Sequence, residues 1–198
     1  MPGPADGAID DALRARAARV RLVGFDVDGT LTDGRLWFDG EGNESKAYSV
    51  QDGLGLRLLE DNGIPVAFIT ARDSASARAR ARDLRLSHAF TDVSDKAACV
   101  AGLCAQLGIG WDEVAYMGDD LHDLAVFPRV GLAVAPANAH PWVLGHAHWV
   151  TAQHGGKGAA RALCDLVLEA KGLRGTVLAR FGLAQDDAGM PKPPGDGA

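Results

Sequence analysis

Six short apolar runs punctuate the chain, and helix-forming stretches separate most of them. The runs VRLVGF (20–25), PVAFIT (65–70), HAFTDV (88–93), EVAYM (113–117), VGLAV (130–134) and HAHWV (146–150) have the length and near-continuous apolarity of strands covered on both faces. Between them, Gly53–Asn62, Ser74–Leu86, Lys96–Leu107 and Asp119–Phe127 carry helical spacing or strong helix formers. Asp73 and Ser74 can cap the second of these helices, and Gly63, Gly108 and Gly131 fall where helices stop or the chain turns. This alternation predicts an α/β fold, a Rossmann-like parallel sheet with helices on both faces. Ligands of such sheets bind at the carboxyl ends of the strands, so those ends are where chemistry is to be sought.

Two segments interrupt the pattern. Residues 34–49, GRLWFDGEGNESKAYS, read as a β-hairpin flap turning around Asp39-Gly40-Glu41-Gly42, placed where the chain leaves the first strand. From residue 173 to 198 the chain turns rich in Gly, Pro and Asp, and its last eight residues, PKPPGDGA, are expected to be mobile. The organisation predicted is an N-terminal extension (1–19), one domain (20–172) and a C-terminal tail (173–198). A length of 198 residues suits a single core. No apolar run approaches the ~20 residues of a membrane span, and the N-terminus lacks a basic start followed by an apolar block. The net charge of −6 argues against a nucleic-acid partner, and the five arginines between Arg72 and Arg85 read as the solvated face of a helix. Cys99, Cys104 and Cys164 have no metal-site spacing and read as buried thiols. A cytoplasmic domain is expected.

The chemistry concentrates in GFDVDGTLTDG (24–34). An apolar strand delivers Asp26 to its carboxyl end, Asp28 follows two residues later, Gly29 allows a tight turn, and Thr30 and Thr32 add hydroxyls. One carboxylate of such a pair can attack as a nucleophile while the other gives and then takes a proton. Two acids at an apolar strand end are costly for a mere turn.

DxDGT after a first strand resembles the nucleophile motif of the haloacid dehalogenase superfamily of phosphohydrolases. The resemblance extends to Thr70 in FITAR, matching the residue that binds the phosphoryl group, and to Lys96 in DVSDKAA, matching the lysine that offsets charge. It also covers MGDDLHD (117–123), matching the acidic metal motif. It implies catalytic roles for Asp26, Asp28, Thr70 and Lys96, with Asp26 as nucleophile and Asp28 as acid and base. It further implies Mg2+ held by Asp26, Asp119 and the Asp28 carbonyl, with Asp120 and Asp123 beside them. Magnesium suits such an all-oxygen site. Two rival readings use similar parts. A receiver-like signalling module carries its phospho-accepting Asp on the third strand, where this chain has no such motif; an inactive scaffold would lack a key residue, and every one is present.

Neither the stretch from Asp33 to Gly53 nor that from Thr70 to Lys96 has room for a large cap domain. Within the superfamily, the segments FDVDGTLTDGRLWFDGEGNESKAYSVQDGLGLRLLEDNGI, AYMGDDLHDL, GLAVAPANAHPWV and GGKGAARALCDLVL resemble the 3-deoxy-D-manno-octulosonate 8-phosphate phosphatase family across residues 20–171. That implies a capless, magnesium-dependent homotetramer whose hairpins meet at its centre and which serves lipopolysaccharide biosynthesis. A relative acting on another sugar acid phosphate, such as 2-keto-3-deoxynonulosonate 9-phosphate, would share the same catalytic residues. Thr30, Arg72 and Asp120 are the expected substrate contacts, Arg72 because a guanidinium matches a carboxylate. Two departures from the family stand out: Ala71 replaces the usual glycine before Arg72, and the tail after Gly172 is longer and dissimilar.

Overall fold

The computed structural model describes residues 9–183; the expectation for the final eight residues lies outside them. In chain order the elements are α1 (Asp11–Arg19), β1 (Leu22–Phe25), β2 (Trp37–Phe38), β3 (Glu44–Ser45), α2 (Val50–Asp61), β4 (Val66–Ile69) and α3 (Ala75–Asp83). There follow β5 (His88–Phe90), α4 (Lys96–Leu107), β6 (Val114–Met117), β7 (Leu132–Ala135), α5 (Pro141–Leu144), β8 (Trp149–Val150), α6 (Ala159–Ala170) and α7 (Arg174–Arg180). Each of the six apolar runs gives one strand of a single sheet, β7 ending one residue past its run, ordered β5-β4-β1-β6-β7-β8 and parallel throughout.

Alternate strand residues feed two cores, as the pleat requires. Val23, Phe25, Val66, Phe68, Met117 and Val134 pack under α1, α2, α3 and α6. Leu22, Ile69, Val114, Tyr116 and Ala133 pack under α4 and α5. The chain winds outward from β1 to β4 and β5, then returns to place β6 on the other side of β1. The order of strands therefore reverses at β1, and its carboxyl end opens into the crevice that such a reversal creates.

Three local outcomes differ from the sequence reading, each for a physical reason. Asp119–Phe127 does not form a helix; only a 3-10 turn at Leu121–Asp123 forms. The Asp123 carboxylate turns inward and accepts the Asp119 and Asp120 N–H groups at 3.0 and 3.2 Å, an alternative that competes with helical bonding. Helix α6 lies beyond the four expected helices because it has no local cap: Gly158 stands at its start with φ +101°. Its N–H groups are capped from afar by buried Asp52 of α2, which accepts Arg161 N–H at 2.8 Å and Gly158 N–H at 3.3 Å. Within the N-terminal stretch, Asp10 caps α1 by accepting Leu13 N–H at 2.7 Å, and Leu13 and Ala17 are buried in the first core.

The loop ahead of α6 is what holds the turn after β1. Gly156 N–H donates to the Thr30 carbonyl at 3.1 Å. The Asn138 side chain donates to the Gly29 carbonyl at 3.3 Å and accepts Gly155 N–H at 2.6 Å. A Cβ on Gly155 would lie 1.8 Å from the Gly29 oxygen, so the two backbones touch only because residue 155 is glycine. Gly155→Ala is therefore expected to force the two segments apart and to destabilise the fold by about 1–3 kcal/mol, the usual scale of overpacking. Urea unfolding reads this as a lower midpoint at constant slope; an unchanged midpoint would show that the loop yields freely.

Candidate active site

The strand ends nearest the reversal present Asp26 after β1, Thr70 after β4 and Asp119 after β6, while α4 begins with Lys96. Asp26, Asp28, Thr70, Arg72, Lys96, Asp120, His122 and Asp123 line one cavity of about 290 Å³. A hollow of about 330 Å³ at the opposite edge of the sheet is lined by residues such as Val20, Arg21, Ile64 and Lys171 and by no acidic side chain.

At the centre, the buried Lys96 ammonium donates to Asp26 and, at 2.7 Å, to Asp123. Burial would lower the Lys96 pKa, but the two carboxylates outweigh it and hold it above the ordinary lysine value. Asp123 receives four hydrogen bonds: from Lys96, from the Tyr116 hydroxyl at 2.8 Å, and from the Asp119 and Asp120 N–H groups. Its oxygens are thus committed to holding Lys96 and the backbone of the turn.

Asp26, Asp119 and Asp123 each bring a carboxylate oxygen within 4.8 Å of the others. Burial first, and then the charge of Asp123, push Asp26 up to about 8, against the pull of Lys96. The same two causes raise Asp119 to about 7. Both shifts express the cost of gathering anions in a low-dielectric site. The donor set fits a hard divalent cation: all oxygen, with more negative charge than Lys96 offsets. Since Asp123 is spent on protein donors, Asp26 and Asp119 are the side chains left to hold an ion. Thr30 is fully buried, and its hydroxyl donates to Asp119 at 3.0 Å, so it orients that carboxylate from beneath. Gly29 has φ +89°, and a Cβ there would stand 2.0 Å from the other Asp119 oxygen, so glycine serves both the turn and the carboxylate's approach.

On the hairpin side the charges alternate. Lys46 Nζ lies 2.6 Å from one Asp28 oxygen and 3.1 Å from Glu44. Glu44 in turn accepts Ser74 Oγ at 2.9 Å, and Arg72 through Nε and Nη2 at 3.1 and 2.9 Å. Burial alone would raise the Glu44 carboxyl, yet these hydrogen bonds hold it below its ordinary value. Thr70 is buried with its hydroxyl accepting Arg72 N–H at 3.2 Å, and Asp120 accepts Leu121 N–H at 2.7 Å from an exposed position. The sequence reading did not single out Lys46, Glu44, Tyr116 or Asn138. The spacing GDDxxD carries the signal for Asp123, whereas nothing local in NESKAY marks Glu44 and Lys46 as site residues.

Residues 90–163 match the family model for a haloacid dehalogenase-like hydrolase. The 3-deoxy-D-manno-octulosonate 8-phosphate phosphatase of Yersinia pestis is 44% identical over 165 residues, which span 83% of this chain and 88% of that protein. A crystal structure of a hypothetical protein from Xanthomonas campestris superposes with a TM-score of 0.87 at 52% identity, covering 92% of this chain and all of that one, 100%. The Moraxella catarrhalis 3-deoxy-D-manno-octulosonate 8-phosphate phosphatase, solved in complex with a magnesium ion, a phosphate ion and KDO, superposes with a TM-score of 0.82 at 38% identity. That match covers 85% of this chain and 97% of the other. Together with the acid cluster at the reversal of the sheet, this degree of identity over nearly the full length means that the chain belongs to the 3-deoxy-D-manno-octulosonate 8-phosphate phosphatase family.

Proposed function

We propose that the chain is a magnesium-dependent, cytoplasmic phosphatase that cleaves 3-deoxy-D-manno-octulosonate 8-phosphate to 3-deoxy-D-manno-octulosonate and inorganic phosphate, on the route to lipopolysaccharide. The observation that carries this reading is the Asp26–Lys96–Asp123 cluster with Asp119 beside it, in a chain 44% identical to a phosphatase of that substrate. Asp26, Asp119 and the Asp28 carbonyl would hold the magnesium ion, which supplies positive charge against the phosphoryl oxygens. Among the described residues no helix is long and apolar enough to cross a membrane.

In this reading an Asp26 oxygen attacks phosphorus, the bond to the sugar oxygen breaks, and Asp28 gives its proton to the departing alkoxide. Asp28 then takes a proton from the water that attacks the aspartyl-phosphate, which frees phosphate and restores Asp26. Lys96 keeps the nucleophile aimed, and the Thr70 hydroxyl donates to the phosphoryl group. Arg72 and Asp120, on the cavity wall, take the sugar acid, Arg72 by its planar fork. Thr30 serves the substrate through Asp119.

The hairpin supports the tetramer as the working form. Trp37 and Phe38 are 65% and 59% exposed on β2, and Val50 and Leu54 are exposed on the helix that follows. An isolated two-stranded ribbon is marginal in water, and apolar side chains of this size call for a partner surface. Tyr48 differs from its hairpin neighbours: it packs on the chain's own first core, with the Arg80 guanidinium 5.8 Å over its ring. Closed symmetry among copies of the chain would cover Trp37 and Phe38 and wall the open side of the cavity.

Purified protein is expected to release phosphate from the eight-carbon sugar acid phosphate with a higher kcat/KM than from the nine-carbon analogue, to fall silent in excess EDTA, and to recover with magnesium. A preference for the nine-carbon ester would reassign the substrate, and turnover surviving exhaustive chelation would remove the metal. Asp26→Asn should abolish turnover while the melting temperature holds or rises, because one charge leaves a crowded acidic cluster at constant volume; substantial residual phosphatase activity would overturn the nucleophile. Phe38→Asp should dissociate the assembly in light scattering and lower activity, whereas a fully active wild-type monomer would leave the hairpin as a private lid.

A further inference from the structure

The hairpin reaches into the site through one buried cation. Lys46 follows β3, and its side chain has no exposed surface, a costly place for an ammonium unless its charge is matched. Its Nζ stands 2.6 and 2.9 Å from the two oxygens of Asp28. Among the described residues, Lys46 is the partner that the Asp28 carboxylate pairs with. The ammonium is itself fixed from behind by Glu44 at 3.1 Å, which Ser74 and Arg72 anchor to the body of the domain. Asp28 sits at the tight turn before Gly29, with its side chain 21% exposed at the cavity wall, where it would otherwise be free to rotate toward water.

We infer that Lys46 is a positioning residue that fixes the Asp28 carboxyl for proton transfer to the leaving oxygen, so that the hairpin completes the acid–base apparatus as well as walling the cavity. The inference rests on the proposed role of Asp28. Lys46 takes no proton and touches no reacting atom; its effect passes through the orientation of Asp28. The bland alternative is that Lys46 only ties the hairpin down.

The two are separated by the leaving group. An alkoxide must be protonated as it departs, whereas p-nitrophenolate leaves with little help. The value of kcat/KM reports the steps through leaving-group departure and omits the later attack of water. It would be measured for a simple alkyl phosphate, which lacks the sugar acid that Arg72 and Asp120 hold, and for p-nitrophenyl phosphate on the same preparations of wild type, Lys46→Met and Asp28→Asn. Taking the ratio of the two substrates within one preparation cancels any loss of folded protein. Lys46→Met is expected to lower that ratio by about tenfold or more, part of the 10²–10⁴-fold that general acid–base catalysis supplies, and Asp28→Asn to lower it further. A ratio unchanged in Lys46→Met but depressed in Asp28→Asn would overturn the role of Lys46 and leave Asp28 standing. A ratio unchanged in Asp28→Asn would remove the acid itself, and the inference with it.

Discussion

The buried ammonium of Lys96 is the contact on which the rest of the site depends. It lies between Asp26 and Asp123 and supplies the positive charge that faces both carboxylates at that depth. The strand order makes the contact possible: β1 supplies Asp26, its neighbour β6 runs into the turn that carries Asp123, and α4 starts with Lys96 after the chain has passed β5 at the sheet's edge. Tyr116 extends the network through the sheet, placing its ring in the second core and its hydroxyl on Asp123. A group that is apolar on one side and hydrogen-bonded on the other suits the floor of a polar site on an apolar sheet. Removing the Lys96 cation from such a group would leave its carboxylates uncompensated, which makes the cluster a unit rather than a sum of pairs.

A second constraint is the close approach of backbones around Asp28. Gly29 lies against Asp119, Gly155 against Gly29, and Gly156 against Thr32, all at distances no side chain permits. The turn is therefore clamped between the carboxylate that would hold the ion and the loop ahead of α6. Asp52 fastens that loop to α2, and Asn138 fastens it to the chain after β7. The turn that follows Asp26 is thus held by packing of main chain, a stiffer device than a hydrogen bond to a mobile side chain.

What the sequence made legible follows from how local each signal is. Strands β1, β4, β6 and β7 were visible because they are buried throughout, the edge strands β5 and β8 being only partly covered, and Asp26, Thr70, Lys96 and Asp119 were visible because each stands at a strand or helix end. Asp119–Phe127 misled because its helix-forming composition says nothing of the buried lysine that draws Asp123 inward. Helix α6 was left without bounds for the converse reason, although Cys164 sits in a helical pattern: its cap comes from Asp52, 106 residues away from Gly158 in sequence. Thr30 was expected to contact substrate, whereas the packing buries it and turns its hydroxyl onto Asp119. Lys46 and Glu44 had no local signal because their meaning lies in Asp28 and Arg72, which the fold brings to them.

The hairpin resolves a problem set by the small size of the domain. A phosphatase of this kind must hold a charged ester out of bulk water while keeping its acid and base in place, and this chain has no room for a separate cap. Arg72, Glu44, Lys46 and Asp28 form a line of alternating charge from the end of β4, through the hairpin, to the turn after β1. Each charge in the line is flanked by its opposite, so the ribbon is fixed to the site by interactions that a low dielectric strengthens. The same ribbon leaves Trp37 and Phe38 facing outward. Phe38 stands opposite Glu44 in the ribbon and Trp37 opposite Ser45, so these exposed rings belong to the same short element whose Lys46 pairs with Asp28. An exposed apolar surface and the charge pair at Asp28 thus meet in one two-stranded element.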